Sequence, residues 1–512
     1  MKPPVPLRHW LLAATTTLLI AGHASALRDS DNQGRWEEPN QRGPDAEVPG
    51  FLVNMGPTGA RGVLKERSFV IKHIFADSPA DGVLKLGDEV TGANGTPFSA
   101  HQFGPRNHGI CGPMRDLGLA IEDSEGEDGL LRLSVTRDGE PVTADVQLEA
   151  LGRFADTFPH DCEKTRVLRD RAYQYLIDNP GGLNSHARCV AALALMGADN
   201  PEFAAAGKQM ALDWNEPYQD TTWSWHLAFQ AITLAEYHLL AGDDAVLETL
   251  EHTLGLLRNA QWTGEIRHWP LSHFSDDVDE ETLNKHQQRY VGGFGHSPYH
   301  HVVARGGGGY GPMQWPTCIA IMSWQLAKQC GIEPEHNGLD EAFQFLEYGT
   351  TKGGRIAYGG EFTLNRGPID TEEWQQDTRH SFSHKSGLGY ITYMLSPERP
   401  NAEERKKLHL TNIANAYRDM ADGHACAMMG FAWGLAGTFA SDDEELQKQV
   451  FDYYKAWINL ARCHGSDSYV ILPSRDYSDY SYYRDNIRNS MTAAIALLYS
   501  YSSPKLRVHG VE

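Results

Sequence analysis

The sequence is short of basic residues, short of cysteine and, beyond its first two dozen positions, without a long apolar run. Each shortage excludes something. The 45 Lys and Arg stand against 67 Asp and Glu, a net charge of −22 over 512 residues. So acidic a chain has too few cations to neutralise a phosphate backbone, which excludes nucleic acid as the main partner. Docking on anionic lipid is disfavoured for the same reason. Seven cysteines (Cys111, Cys162, Cys189, Cys318, Cys330, Cys426 and Cys463) are too sparse for a disulfide scaffold, and an odd number leaves at least one thiol unpaired within a chain. Cys189, Cys318 and Cys426 sit among Ala, Leu and Met and read as small buried side chains. No G-x-S-x-G elbow and no convincing Ser/His/Asp order is found, which disfavours regulated proteolysis. Otherwise 41% hydrophobic and 22% charged residues describe a folded globular chain, long enough for two to four domains.

The N-terminus reads as an address. Residues 1–10 carry Lys2 and Arg8 and no acid, residues 11–22 are an apolar run, and Ala24-Ser25-Ala26 is a small-x-small cleavage site. This is the three-part layout of a secretory signal peptide. A membrane anchor is the alternative, but so short a run spans too little of a hydrocarbon core about 30 Å thick. The expectation is a signal peptide over 1–26, a polar linker over 27–48, and a periplasmic or secreted chain with no later membrane span.

Residues 68–74 have strand composition. Ser78-Pro79-Ala80 then starts a helical turn with φ preset by proline, Gly87-Asp88 permits a reversal, and Asn94-Gly95 suits a tight hairpin. Residues 131–135 and 142–148 supply two further strands around Asp138-Gly139. The combination resembles the PDZ core pattern, and 49–152 is identified as a PDZ-like, β-rich domain. That resemblance implies an extended peptide added to a sheet edge, its carboxylate taken by backbone N–H groups. The matching stretch is 51–62, FLVNMGPTGARG, with Met55, Gly56, Gly59 and Ala60 as the peptide-binding residues; it departs from the family's short Gly-apolar-Gly-apolar loop. The other reading is a module used only to pack against the second domain.

After a linker at 153–163 the texture changes again. Charged, one-sided segments at 164–177, 201–213, 243–258, 335–348, 402–420 and 443–461 alternate with segments apolar nearly all round. The latter, rich in Ala, Gly and Ser, lie at 183–195, 222–240, 312–329, 385–395, 424–437 and 488–499. A helix apolar all round is buried, and a one-sided helix faces solvent. Six such pairs predict an (α/α)6 toroid over 164–504 with a tail at 505–512, closure removing the exposed end faces of an open solenoid. The fold class expected is therefore multidomain α+β: a PDZ-like, β-rich domain followed by an all-α (α/α)6 toroid.

Three outer-to-inner connections are long, 259–311, 349–384 and 463–487, and alternation puts all three at one end, together with the inner helices' N-termini. Long loops carry function, and helix N-termini favour negative charge. These connections are rich in His, Arg, Trp and Tyr. The chemistry that fits is an acidic-polysaccharide site: rings stack on sugar faces, a Tyr or His removes the proton α to a uronate, and an Arg or charged His neutralises the carboxylate. The catalytic candidates are His296, His300, Tyr310, Arg305, His384 and His424, and the substrate-binding candidates Trp225, His226, Trp269, Trp315, Tyr358 and Asp422. Alternatively, His296 and His300 only order the glycine-rich loop 306–309. A hydrolase needs two carboxylates about 6–10 Å apart. Asp220, Asp422 and Asp485, near inner-helix starts, read instead as N-caps. The acidic block 276–281 reads as a solvated loop.

His296-x3-His300-His301 and Cys463-His464-Gly465 do not assemble four convergent ligands, so no metal site is assigned and any cofactor is left open. At the scale of the whole chain, GPTGARG at 56–62, Phe158-Pro159-His160-Asp161-Cys162, Ser224-Trp225-His226 and the glycine loop at 306–311 resemble exported bacterial PDZ-plus-toroid proteins known only as a domain of unknown function. The toroid is similar in style to the terpenoid cyclase and prenyltransferase superfamily, but that superfamily's Asp-rich and zinc motifs are not evident, so its activities do not carry over. Two partners are therefore expected as alternatives: an extracellular polysaccharide at the toroid mouth, or a peptide or protein C-terminus held by a non-catalytic scaffold.

Overall fold

The computed structural model of the chain describes residues 52–101, 111–262, 281, 290–296, 312–333, 337–359, 362–363, 367–368, 371–422, 427–470 and 487–511. The expected signal peptide and linker lie outside them, and among them no helix is long and apolar enough to cross a membrane.

The N-terminal unit is an antiparallel sheet in the order β1-β2-β3-β4-β6-β7, with β5 beside β4. Its strands are β1 (Leu52–Asn54), β2 (Ala60–Leu64), β3 (Phe69–Ile74), β4 (Glu89–Ala93), β5 (Thr96–Pro97), β6 (Leu130–Arg137) and β7 (Glu140–Gln147), and helix α1 (Pro113–Glu125) packs on β4 and β6. Strand β6 shows why the pattern folds this way: Leu131, Leu133 and Val135 are buried while Arg132 and Ser134 face out. The two tight turns fall at Asn94-Gly95 (φ 48° and 78°) and Asp138-Gly139 (φ 54° and 86°), the positive-φ pairs that match strand twist.

The helical unit contains six outer helices, α2 (Glu163–Asp178), α4 (Pro201–Leu212), α6 (Leu247–Ala260), α8 (Gly338–Tyr348), α11 (Ala402–Ala416) and α13 (Glu444–Ala461). They alternate with six inner ones, α3 (Ser185–Met196), α5 (Ser224–Ala241), α7 (Gln314–Gln329), α10 (Ser383–Met394), α12 (Ala427–Phe439) and α14 (Ile487–Ser500); a short α9 (Thr371–Gln376) lies between α8 and α10. Inner helices pack in the cycle α3-α5-α7-α10-α12-α14 and back to α3, a closed ring. Residues Ala187 to Met196 of α3 are nearly all inaccessible, as an all-apolar helix requires. Glycine makes the closest approach possible. A Cβ on Gly387 would stand 2.4 Å from the Trp433 carbonyl oxygen, and one on Gly437 would stand 2.2 Å from that of Gly387. Helices α10 and α12 therefore touch backbone to backbone.

The inner helices' C-terminal ends are covered by the chain's own tail. Glu236 of α5 accepts the backbone N–H of Arg507 (3.1 Å) and Val508 (2.7 Å), Lys505 donates to the Ala198 carbonyl (2.7 Å), and His509 Nε2 meets the Ser500 hydroxyl (3.0 Å). Burial pushes the Glu236 carboxyl up to about 7. The N-termini of the inner helices lie at the opposite end of the ring from this tail.

The two units are held by charges out of water. Helix α1 lies on α13 so closely that a Cβ on Gly118 would stand 2.3 Å from the Ala456 carbonyl oxygen. Arg462 forms two bonds of 2.8 Å with Glu125, Lys164 pairs with both Glu125 (2.9 Å) and Glu122, and Asn459 donates to Glu122 (3.0 Å). Burial alone would raise the Glu125 carboxyl, but Arg462 and Lys164 hold it below the usual carboxylate range. Two acids and two bases cancel, so the quartet is buried as a neutral unit. Asn54 adds bonds of 2.7 Å to the carbonyls of Leu460 and Arg462.

This contact corrects the expectation of an open peptide groove. Strand β2 is paired on both edges, by β1 and β3. Met55 and Ala60 are fully buried. Gly56 abuts the Asn459 carbonyl of α13, and Gly59 lies against Ser78 and His464. The stretch expected to take a peptide is covered by the helical unit.

Two stability measurements follow. Gly387→Ala forces α10 from α12 and lowers unfolding free energy by about 2 kcal/mol in chemical denaturation; an unchanged midpoint would contradict the close contact. Glu125→Ala strands Arg462 and costs about 3–5 kcal/mol, whereas a loss within error would show the quartet to be solvated.

Candidate functional site

Charge is distributed unequally between the two ends of the ring. Every outer helix carries Asp or Glu in its first turn, and none of the six inner helices does. The positive ends of the inner-helix dipoles are therefore not offset by acids in those turns. Short backbone bridges gather the first two long connections at this end. Phe294 pairs with Met313, Met313 pairs with Gly359, and the Gln314 N–H donates to the Tyr358 carbonyl at 3.0 Å. His296, Trp315 and Tyr358, far apart in sequence, thus sit on one lip.

That lip is aromatic. The rings of Trp225 and Trp315 are 5.6 Å apart, and Trp225 lies nearly parallel to His296 at 5.8 Å. Trp223, 41% exposed, stands 5.8 Å from His296 and 6.2 Å from His226. Trp225, His226, His296, Trp315 and Tyr358 are half-buried, each with one part packed and another open. The Trp225 Nε1–H donates to His296 Nδ1 at 2.8 Å, and the Ser224 N–H donates to the His296 carbonyl at 3.1 Å. Burial lowers the pKa of His296 and, separately, that of His226, favouring neutral rings. With Nδ1 occupied as an acceptor, a neutral His296 carries its proton on Nε2. Its hydrogen bond with Trp225 fixes that ring, while the glycine-rich loop 306–309 that it was expected to order lies outside the described residues.

Beside the aromatic lip is a cluster of cations. Arg355 lies over the Trp374 ring at 4.7 Å and pairs with Asp377, which Arg379 also holds at 2.7 Å. The Arg379 bond, aided by Arg355, pulls the Asp377 carboxyl down to about 2. Lys385, in the first turn of α10, is 6% exposed and meets the rings of Phe382 (5.4 Å) and Tyr358 (5.8 Å). Burial, reinforced by the Arg355 charge, depresses its amine to about 7.

Of the remaining candidates, His384 is buried beside Gly430 and Gly434 of α12. Trp269, His300, Arg305, Tyr310 and His424 lie outside the described residues, as does the side chain of Asp422. Asp220 does not cap α5, whose N-cap is Trp223 without a side-chain bond. Sequence reading missed Lys385 and Trp223. The visible signal for the first was a lysine inside SHKSGLGYITYM, an otherwise apolar, small-residue helix. It also missed His186, buried where it accepts from Trp433 Nε1 at 3.2 Å and lowered by burial to about 3. Among the described residues no group of three or more His, Cys, Asp or Glu is placed to hold a metal.

A concavity of about 310 Å³ opens between the two units, lined by Pro57, Glu149, Arg171, Arg462, His464 and Asp467. Its arginines are already engaged, Arg171 with Glu149 at 2.7 Å and Arg462 with Glu125 at 2.8 Å.

The model of the family described as Domain of unknown function (DUF6288) matches residues 165–283 and 276–510. No curated protein matches the chain. Among solved structures it is similar to a crystal structure of an unsaturated glucuronyl hydrolase specific for heparin, at 13% identity and a TM-score of 0.37, covering 76% of this chain and 95% of that one.

The buried amine has a pH signature. Lys385 is charged in the unfolded chain up to about 10.5 and in the folded chain only below about 7. Between those values the unfolded chain binds the extra proton, so this side chain makes stability rise with pH across the window and leaves it flat below. The stability advantage of Lys385→Met over the parent should therefore shrink as pH is raised through the window; a constant difference would contradict a buried, unpaired amine.

Proposed function

Because the chain belongs to the DUF6288 family, whose description assigns no activity, its function has to be read from its own residues, and we propose that the open end of the helical ring binds an extracytoplasmic polymer of acidic sugar units. The observation that carries this reading is the half-buried Trp225, Trp315 and His296 cluster at the starts of α5 and α7, next to Arg355 and Lys385. A pyranose ring offers an apolar C–H face to a flat indole and a polar rim to its neighbours, and half-buried tryptophans are fixed supports for such a face. The adjoining cations and inner-helix N-termini favour a carboxylate or sulfate on the same ligand. An acidic chain needs this local reversal of sign, since the protein as a whole carries −22 and would otherwise repel it.

In this reading His300, Arg305, Tyr310 and His424 are the acid–base and charge-neutralising groups for a cleavage by elimination or hydrolysis, and Trp269 extends the stacking surface. The leader-like residues 1–26 support export. The N-terminal unit is proposed to be a PDZ-type module used as a fixed packing partner, a role that suits its covered β2 edge. No observation favours free peptide capture.

Calorimetric titration of the full chain with uronate-bearing, sulfated and neutral oligosaccharides tests the reading. Acidic chains bind and neutral ones of equal length do not, and Trp225→Ala or Trp315→Ala weakens binding by about tenfold. Silence across the acidic panel, or tryptophan variants that bind as the parent does, would overturn it.

A further inference from the structure

Two lysines are buried among the described residues, and they are treated in opposite ways. Lys164, 1% exposed, lies between Glu122 and Glu125. Lys385, 6% exposed, has no carboxylate, carbonyl or hydroxyl on its amine among the described residues; its contacts are the faces of Tyr358 and Phe382. Its polar neighbours are committed elsewhere. The Ser383 hydroxyl donates to the Ala416 carbonyl (2.8 Å), the Ser386 hydroxyl donates to that of Gly354 (3.0 Å), and Asp377 is bonded to Arg355 and Arg379. The cationic charge that acts on it is a like one, Arg355, whose guanidinium lies 5.7 Å from the same Phe382 ring. On the α7 side it faces the buried thiol of Cys318, which burial keeps protonated by pushing it up to about 12. Helix α10 starts here without an acid in its first turn and without a side-chain cap, its N-cap Phe382 in the left-handed region at φ 52°.

Burial, the Arg355 charge and the start of α10 disfavour a cation here and favour an anion, and only the two ring faces act the other way. Ring faces compensate an ammonium only in part, the helix dipole repels it, and Arg355 repels it further. We propose that Lys385, set between Tyr358 and Phe382 at the start of α10 and beside Arg355, is the receptor for one oxyanion of the ligand, the carboxylate or sulfate ester of an acidic sugar unit. The ring faces on either side form apolar walls that suit the C–H face carrying that group. Tyr358 is tied through its carbonyl to Gln314, so the receptor shares a lip with Trp315. An arriving anion restores the ion pair that Lys164 already has, and the amine is then held charged at neutral pH. The proposal takes from the polymer reading only the identity of the carrier.

The experiment uses the full chain and single sugars. Lysines are methylated with a carbon-13 label, and the Lys385 resonance is identified as the one missing from Lys385→Met. Its titration midpoint is followed with glucuronate, with a sulfated glucose and with neutral glucose. The expected result is a midpoint near neutrality that rises by about one unit or more with an acidic sugar and is unmoved by glucose; a carboxylate-only or sulfate-only response identifies the group. An amine unmoved by both acids overturns the proposal, and the resonance can equally be assigned with Lys385→Gln. In parallel, Lys385→Met unfolds at higher temperature than the parent without ligand and loses the stabilisation that acidic sugars confer. A variant that responds to acidic sugars like the parent also overturns it. If acidic polymers bind the parent and Lys385→Met equally, the receptor is wrong and the polymer reading stands. If single acidic sugars move the amine while no polymer binds, the receptor stands and the polymer reading falls.

Discussion

Backbone-to-backbone contact between α10 and α12 is the constraint from which the rest of the molecule follows. Gly387 and Gly437 leave no room for a β-carbon between the two helices. Only helices that approach this closely can complete a ring of six with a narrow middle, and completion fixes where everything else goes. All inner N-termini point one way, the tail anchored by Glu236 covers the other end, and the long connections arrive where the dipoles are positive. A wider ring would leave the starts of α5, α7 and α10 too far apart to share a lip.

Acidic residues reinforce that polarity. A chain with net charge −22 places acids in the first turn of each outer helix, where they help the dipole, and keeps them out of every inner first turn. Where charge is buried for structure, at Glu122, Glu125, Lys164 and Arg462, it is balanced within bonding distance. Lys385 breaks that habit. A buried amine without the carboxylates that Lys164 has marks a place selected for something besides stability.

Much of the helical unit was legible in the sequence, because burial dictates composition. A segment such as SHARCVAALALM has no polar face to offer solvent, and EELQKQVFDYYKAWINLA has one. Turns were legible at Asn94-Gly95 and Asp138-Gly139, where a positive φ selects the residue. Contacts between distant residues were not. Nothing near Met55 or Gly56 announces that Asn459, some four hundred positions later, will cover them, and the short span Lys505–Val511 reads as a tail although Leu506 and Val508 are buried. Of the residues expected at the mouth, His296, Trp225 and Trp315 come together, with Tyr358 tied to Gln314 beside them. Their roles were not legible, since only the hydrogen bond from Trp225 shows that His296 orders a ring. Lys385 carried a signal, a lysine inside a helix otherwise read as buried, but its lack of a carboxylate partner is visible only once its surroundings are known.

The account places ligand binding at one end of the ring and nowhere else, and hydrogen exchange read by mass spectrometry on the full chain, with and without an acidic oligosaccharide, tests that placement most directly. Slowed exchange at the starts of α5, α7 and α10 and across residues 355–359, with the Arg171–His464 cleft and the tail unchanged, is the predicted result. Protection confined to the cleft between the two units, or to residues 505–511, would contradict it.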